Sequence, residues 1–234
     1  NHTSGLPAWK PFYEQLPGTD FEANRARLLE MLLDEPLENP PETIETYSDP
    51  GFMLLAYAVE KITQMRLDAF VEKEFFSKLG IDCILYRPLN GRIDTENGIV
   101  HSRSEDRRIN DDNAAAVGGV CGHAGLYGTA AAVESILWEW RRGLAGESDL
   151  LPYSTVMEFW HPFHKLPRAA HVPGWDRPVW KISQAGRHIS PHAVGHLGFT
   201  GTSCWMDPDH ELSVVFLSNR TAGSCGTDEM AAFR

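Results

Sequence analysis

The stretch Gly195-His196-Leu197-Gly198-Phe199-Thr200-Gly201-Thr202-Ser203-Cys204-Trp205-Met206-Asp207-Pro208-Asp209-His210-Glu211-Leu212-Ser213-Val214-Val215-Phe216-Leu217-Ser218-Asn219-Arg220 decides how the chain is read. Thr200 to Met206 mixes β-branched, aromatic and small residues, and Leu212 to Leu217 is a short apolar run with β-branched members, both strand signals. Asp207-Pro208-Asp209 between them is turn chemistry. The stretch therefore predicts two strands joined by a tight turn. A run apolar on both faces points to a central strand covered by helices. A histidine, one residue and a glycine, His196-Leu197-Gly198, stand at the entrance of the first strand, where glycine lets another backbone approach closely.

Working outward, the N-terminal half is helical in pattern. Phe21 to Leu33 places Leu28, Leu29, Leu32 and Leu33 near helical spacing. Phe52 to Met65 places Leu54, Leu55, Ala58, Val59 and Ile62 on one side, an amphipathic helix. Leu67 to Phe76 continues as a further helix that Leu79-Gly80 closes with a glycine C-cap. Glu35 to Pro41 holds three prolines and reads as a loop, and Leu89 to Asn113 is charged and irregular, a surface excursion. Ala114 to Val133 has only His123 and Thr129 as strongly polar members, and it contains Gly118-x-x-x-Gly122. Its many glycines and scarce Leu, Ile and Phe would make insertion into a bilayer poor, so it reads as no membrane span. It reads as a glycine-rich turn, then a helix over Ala130 to Trp140 with Thr129 as N-cap. Pro152 to His164 is helical, and Gly174-Trp175-Asp176 opens another strand.

A chain of 234 residues is long enough to bury a real core as one large domain or a domain with a subdomain. Lys plus Arg number 21 against 32 Asp plus Glu, a net charge of −11 that argues against a nucleic-acid partner. Cys83, Cys121, Cys204 and Cys225 form no CxxC pair and read as free or buried thiols.

Two side chains stand out as chemistry candidates. Tyr47 lies in a turn just before a helix that the pattern buries, where a rigid element can present a side chain to a cleft. A tyrosine with an ordinary pKa of about 10 works as a base near neutrality only beside cations. His196 stands at the strand entrance. A histidine metal site is the other option, since His188, His192 and His196 are four apart and His161 and His164 three apart. Pro191 interrupts any helical face for the first set and no acidic ligand lies among them, so the sequence assigns no metal and no cofactor.

Four segments occur in register along the chain. They are His2-Thr3-Ser4-Gly5-Leu6-Pro7, Tyr47-Ser48-Asp49-Pro50-Gly51-Phe52, Gly118-Gly119-Val120-Cys121-Gly122-His123-Ala124-Gly125-Leu126 and His196-Leu197-Gly198-Phe199-Thr200-Gly201. In this order and spacing the chain resembles the serine β-lactamase-like family, which includes class C β-lactamases, D-alanyl-D-alanine carboxypeptidases and related esterases. It is most similar to the esterase or penicillin-binding-protein-like branch.

The resemblance implies an α+β fold, an α/β sandwich in which helices flank an antiparallel sheet. It implies one domain over residues 1–234, with a mostly helical subdomain over 8–165 and strands of the central sheet over 170–234. An active cleft is expected between them. Tyr47 matches the tyrosine of the family's Tyr-x-Asn motif, a proton shuttle. Asp49 stands where an asparagine often binds substrate, and an ionised aspartate cannot donate that hydrogen bond. His196 and Gly198 match the ends of the Lys-Thr-Gly motif, commonly His-x-Gly in this branch. Leu197 removes the intervening hydroxyl, which favours a simple ester over penicillins or cell-wall peptides. The Phe199 N–H is implied as one of two oxyanion donors, and Gly198 leaves room for the acyl group. The implied partner is a small molecule with an acyl or β-lactam carbonyl.

No serine in the chain is followed by lysine three residues later, and there is no Gly-x-Ser-x-Gly elbow. In the family the Ser-x-x-Lys helix precedes the segment matched by His2 to Pro7, so the expectation is a chain clipped at both ends, with Asp228 to Arg234 the first turns of a covering helix. Three explanations follow. The residues belong to a longer serine hydrolase; they form an inert fragment or binding module; or a histidine-rich loop supports metal-assisted hydrolysis.

Overall fold

The computed structural model describes residues 1–16, 18–86, 102–103, 108–161, 166, 170–179, 184–222 and 229. The chain divides into two compact units, one of residues 2–95 and 100–128, the other of residue 1, residues 96–99 and residues 129–234. Both helices and antiparallel sheet are present, the mixed α+β class expected.

In the first unit, α1 (Phe21–Asp34) starts where the Asp20 side chain accepts from the Glu22 and Ala23 amides, each at 3.1 Å, which satisfies two orphan N–H groups of the first turn. Leu28, Met31 and Leu32 are its buried face. The expected Phe52–Met65 helix begins three residues earlier, as α2 (Asp49–Thr63). Ser48 Oγ accepts from Gly51 N at 3.2 Å, and Pro50 fits the first turn because no intrahelical partner waits for its missing N–H. The next helix is interrupted: α3 (Leu67–Val71) passes into a π-helical turn, Glu72–Phe76, before α4 (Ser77–Leu79), which Gly80 closes at φ 66°.

Phe12, Leu16, Leu28, Met31, Leu32, Met53, Ala114, Val117 and Cys121 form the core of this unit. Beside it Arg25 is nearly buried. Its guanidinium donates to Val120 O at 2.8 Å and to both Glu60 oxygens at 2.7 and 2.6 Å, and Glu60 Oε1 accepts from Leu67 N. One ion pair thus ties α1, α2, the start of α3 and the glycine-rich segment together. Satisfying the guanidinium on several sides is what makes burying the charge tolerable. The glycines before Leu126 allow close packing: a Cβ on Gly122 would lie 2.0 Å from Phe52 O. Strands β1 (Ile84–Tyr86) and β4 (Leu126–Gly128) pair antiparallel, as do β2 (Ser102–Arg103) and β3 (Arg108–Ile109). Most of the expected surface excursion, residues 87–101 and 104–107, lies outside the described residues. Its end is no surface loop: Asn113, in α5 (Asp112–Ala116), is 1% exposed. It donates to Lys10 O and accepts from Tyr13 N, both at 2.9 Å, which gives the buried amide its partners.

In the second unit, Thr129 caps α6 (Ala130–Ala145), which runs five residues beyond Trp140 to Gly146 at φ 75°. Helix α7 (Tyr153–Trp160) follows. Five strands form one antiparallel sheet in the order β5 (His171–Val172), β6 (Trp175–Asp176), β7 (Val194–Leu197), β8 (Ser203–Asp207) and β9 (Leu212–Phe216). The stretch from Gly195 to Arg220 therefore supplies three strands, not two. His196 does not enter the first predicted strand; it lies on its neighbour β7, opposite Cys204. Gly195 faces Trp205, where a Cβ would meet the indole at 2.3 Å, so the glycine lets the tryptophan lie flat against β7.

The face of Val194, Met206 and Ser213 is covered. Val194 and Met206 join Val172 in a core with Trp140, Trp160 and Trp175 packed on it, and Ser213 Oγ donates to Glu134 Oε1 of α6 at 2.5 Å. On the other face Leu212 and Val214 are 53% and 49% exposed. Among the described residues β9 pairs with β8 alone and is not covered on both faces as expected. Its apolar alternation reflects β-propensity as much as burial. Among the described residues no helix is long and apolar enough to cross a membrane.

The β8–β9 turn is organised by Asp207, 3% exposed, which accepts from Ser190 N at 2.7 Å, Asp209 N at 3.1 Å, His210 N at 3.3 Å and His210 Nδ1 at 2.7 Å. Burial pushes its carboxyl up, but these donors outweigh it and hold it down at about 2. Asp207→Ala is expected to cost about 2–4 kcal/mol at pH 7, since buried donors lose a charged acceptor. Because the native pKa is depressed, that contribution is complete above about pH 4 and fades as pH falls through about 2. Urea unfolding of both proteins between pH 2 and 7 should show the gap narrowing on the acid side.

Candidate active site

The five site residues expected from the sequence fall into two groups, one in each unit. Tyr47 and Asp49 flank Ser48 at the start of α2. His196, Gly198 and Phe199 lie at the end of β7 and in the turn after it.

Tyr47 is 47% exposed although the backbone around it is tightly held. Ser48, 1% exposed, donates its hydroxyl to Pro7 O at 2.8 Å, while Asp49 N donates to Ala8 O at 3.0 Å. His2 completes the anchorage: its carbonyl accepts from Thr46 N at 2.9 Å and its Nδ1 accepts from Ser48 N at 2.9 Å. Its ring lies against that of Tyr47, centroids 4.3 Å apart, with Phe52 at 5.1 Å. In the sequence His2 opens one of the four segments that carry the resemblance and has no site role assigned. Nothing in spacing relates residue 2 to residue 47, and only the long-range hydrogen bonds expose the relation.

Asp49 meets two residues that sequence reasoning also left aside. Single ligating atoms of Asp49, Asp111 and His123 lie within 4.8 Å of one another, a set that could hold a cation. Within this set one imidazole stands with two carboxyl groups. His123 Nε2 donates to Asp111 Oδ1 at 2.9 Å, and the same oxygen accepts from Ala114 N at 2.7 Å as the N-cap of α5. The ring's side chain is 5% exposed. Burial lowers the His123 pKa, but the bond to Asp111 and the nearby Cys121 outweigh it and raise it to about 10. Burial pushes the Asp111 carboxyl up, but His123 and the amides of Ala114 and Asn113 together hold it below the ordinary carboxylate range.

At the second group, His196 Nδ1 donates to Leu197 O at 2.8 Å, which leaves Nε2 as the lone-pair nitrogen of the neutral ring. Gly198 N donates to Thr202 O at 2.8 Å and Gly201 N to Gly198 O at 2.9 Å, a closed turn. A Cβ at Gly198 would strike Thr202 Oγ1 at 2.0 Å, so the turn itself requires glycine. Phe199, at its tip, is 71% exposed. Arg220 covers the ring, 4.3 Å from its centroid, and donates through Nε to Phe199 O at 2.5 Å. Two of the other histidines of the candidate metal set bond elsewhere: His192 Nδ1 with Asp209 Oδ2 at 2.8 Å and His161 Nδ1 with Met157 O at 3.0 Å. His164 lies outside the described residues, as do Cys225 and the expected helix over 228–234 except Glu229. Cys83, Cys121 and Cys204 are free thiols, exposed, buried and half-buried in turn.

The sequence profile of the β-lactamase family matches residues 1–232, and the chain belongs to that family. Among its relatives, a protein of Escherichia coli O157:H7 named for D-alanyl-D-alanine carboxypeptidase activity is 29% identical over 94% of this chain and 55% of its own length. An N-acetylmuramyl-L-alanine amidase of Bacillus subtilis is 30% identical over 94% of this chain and 54% of its own. The chain thus spans about half the length of these relatives. A penicillin-binding protein of Bacillus halodurans shares the fold with a TM-score of 0.64 at 19% identity, covering 99% of this chain and 70% of that one.

The His123–Asp111 pair should make the first unit sensitive to alkali. Folded His123 keeps its proton to about pH 10, against about 6.5 in an unfolded chain, so the pair stabilises fully below pH 6.5 and is lost as pH rises through 10. His123→Gln is expected to lower Tm at pH 6, with the difference from the parent chain shrinking steadily toward pH 10. A Tm difference independent of pH would mean the ring is neutral.

Proposed function

We propose that this chain is part of a serine hydrolase that works through an acyl-enzyme, within the fold of the β-lactamase family. The observation that carries the reading is the presentation of Tyr47. Its neighbours' amides are bonded to His2 and Ala8 while its own side chain stays half exposed. Energy spent fixing a backbone around an exposed phenol is what a positioned proton carrier needs. In this reading Tyr47 relays the proton from the attacking hydroxyl to the leaving group. His196 assists through Nε2 as the counterpart of the family's Lys-Thr-Gly lysine. Asp49 contacts the substrate, Gly198 lets Thr202 close the turn that presents Phe199, and the Phe199 N–H contributes to the oxyanion hole.

No serine in this chain is followed by a lysine three residues on, so the nucleophile of the reading is supplied from residues that precede these in the whole protein. The substrate is a small molecule with an ester, a β-lactam or a D-amino-acid amide carbonyl. Leu197 in place of a hydroxyl favours an ester, whereas the names of the two relatives favour an amide.

The test is mass spectrometry after treatment with a fluorophosphonate. The chain itself should take up no adduct, and a protein extended upstream should take up one, on the serine of a Ser-x-x-Lys sequence. In the extended protein Tyr47→Phe should slow acylation about 10²–10⁴-fold, the usual range for losing a general base. A stoichiometric adduct on this chain alone, or unchanged acylation by Tyr47→Phe, would overturn the assignment.

A further inference from the structure

We infer that His2, a residue remote in sequence from every expected site position, is the positioning residue of Tyr47 and acts as the neutral tautomer protonated on Nε2. Its consequence for catalysis rests on the reading of Tyr47 as the proton relay; its geometry does not.

The backbone of His2 is in the left-handed region at φ 55°, a conformation uncommon for residues other than glycine. That conformation lets one residue serve two donors. The main-chain carbonyl takes Thr46 N–H and the ring takes Ser48 N–H, both at 2.9 Å. Thr46 and Ser48 are the residues on either side of Tyr47, so the chain is held to the same partner just before and just after it, and the Ser48 bond fixes the peptide unit on the carboxyl side of Tyr47. The imidazole then covers one face of the phenol ring, centroids 4.3 Å apart and planes 33° from parallel, so the side-chain direction is restricted as well. His2 is itself 9% exposed, and its segment is fastened independently of Tyr47. Thr3 O accepts from Glu42 N at 2.8 Å and Gly5 O from Glu38 N at 2.8 Å. A Cβ on Gly5 would lie 2.0 Å from Asn39 O, which fixes how closely the two segments run.

The hydrogen bond also dictates chemistry. A backbone N–H can only donate, so Nδ1 must carry a lone pair, and the neutral ring then holds its proton on Nε2. A ring protonated on both nitrogens would set one N–H against another and release Ser48 N, a buried amide with its carboxyl-side neighbour already committed to α2.

Three substitutions separate the two contributions. Asn at position 2 keeps an acceptor where Nδ1 stands and loses the stacked ring, Phe keeps the ring and loses the acceptor, and Ala loses both. In the chain itself, ¹⁵N NMR of the His2 ring should report unprotonated Nδ1 and protonated Nε2 at pH 7. Ser48 amide hydrogen exchange should be about fivefold faster in His2→Ala and His2→Phe, the factor of one net hydrogen bond, and return to the parent rate in His2→Asn. In the upstream-extended protein His2→Ala should lower kcat about tenfold or more with KM little changed, and His2→Asn should recover part of kcat. A ring protonated on Nδ1, or equal Ser48 exchange in all four proteins, would overturn the positioning role whether or not the protein is a hydrolase. Normal tautomer and exchange with kcat unaffected by His2→Ala would overturn its catalytic consequence. An extended protein without any acylation would instead count against the proposed function and leave the NMR result to decide the geometry.

Discussion

Ser48 carries the constraint on which the first unit depends. A hydroxyl buried away from water needs both a donor and an acceptor partner, and Ser48 has them: it donates to Pro7 O and accepts from Gly51 N. One bond starts α2, the other ties that start to a chain segment some forty residues away. Because the helix begins there, its first turn holds Asp49 and the residue two before it, Tyr47, projects from a fixed base. Loss of the hydroxyl would leave a buried carbonyl and a helix amide unsatisfied together, so sequence, helix position and phenol position are linked through one oxygen.

Around this point the unit uses charge in two ways. Arg25 and Glu60 hold helices together, with both terminal nitrogens of the guanidinium donating to oxygens. Asp111 and His123 hold a loop and a short helix, and they sit within reach of Asp49. The first pair explains architecture. The second holds the glycine-rich loop to the start of α5 beside the turn that carries Asp49.

In the second unit the constraint is close approach. Gly195 admits Trp205 against β7 and Gly198 admits the Thr202 hydroxyl, so a strand and the turn after it are shaped by side chains filling spaces where no Cβ stands. Arg220 then closes over Phe199 from the far end of the stretch. The exposed tip at Phe199 and the tightly bonded turn beneath it are consequences of the same packing. Substitution at either glycine would disturb the sheet before it disturbed any chemistry.

The sequence by itself determined the local elements and the family. Helical spacing marks α1 and α2, Thr129 marks the start of α6, and Asp207-Pro208-Asp209 marks the β8–β9 turn, because caps, periodicity and turn residues act over a few positions. Four motifs in register supply the resemblance, and with it Tyr47 and His196. The tertiary structure alone decided that His196 lies on a separate strand, that among the described residues Leu212 and Val214 of β9 stay exposed, and that Asn113 is buried. It also decided that His2, Asp111 and His123 surround the Tyr47–Asp49 turn. The physical reason is range: each of these facts depends on hydrogen bonds or packing between residues tens of positions apart, and such pairings leave no period in the chain from which they could be read.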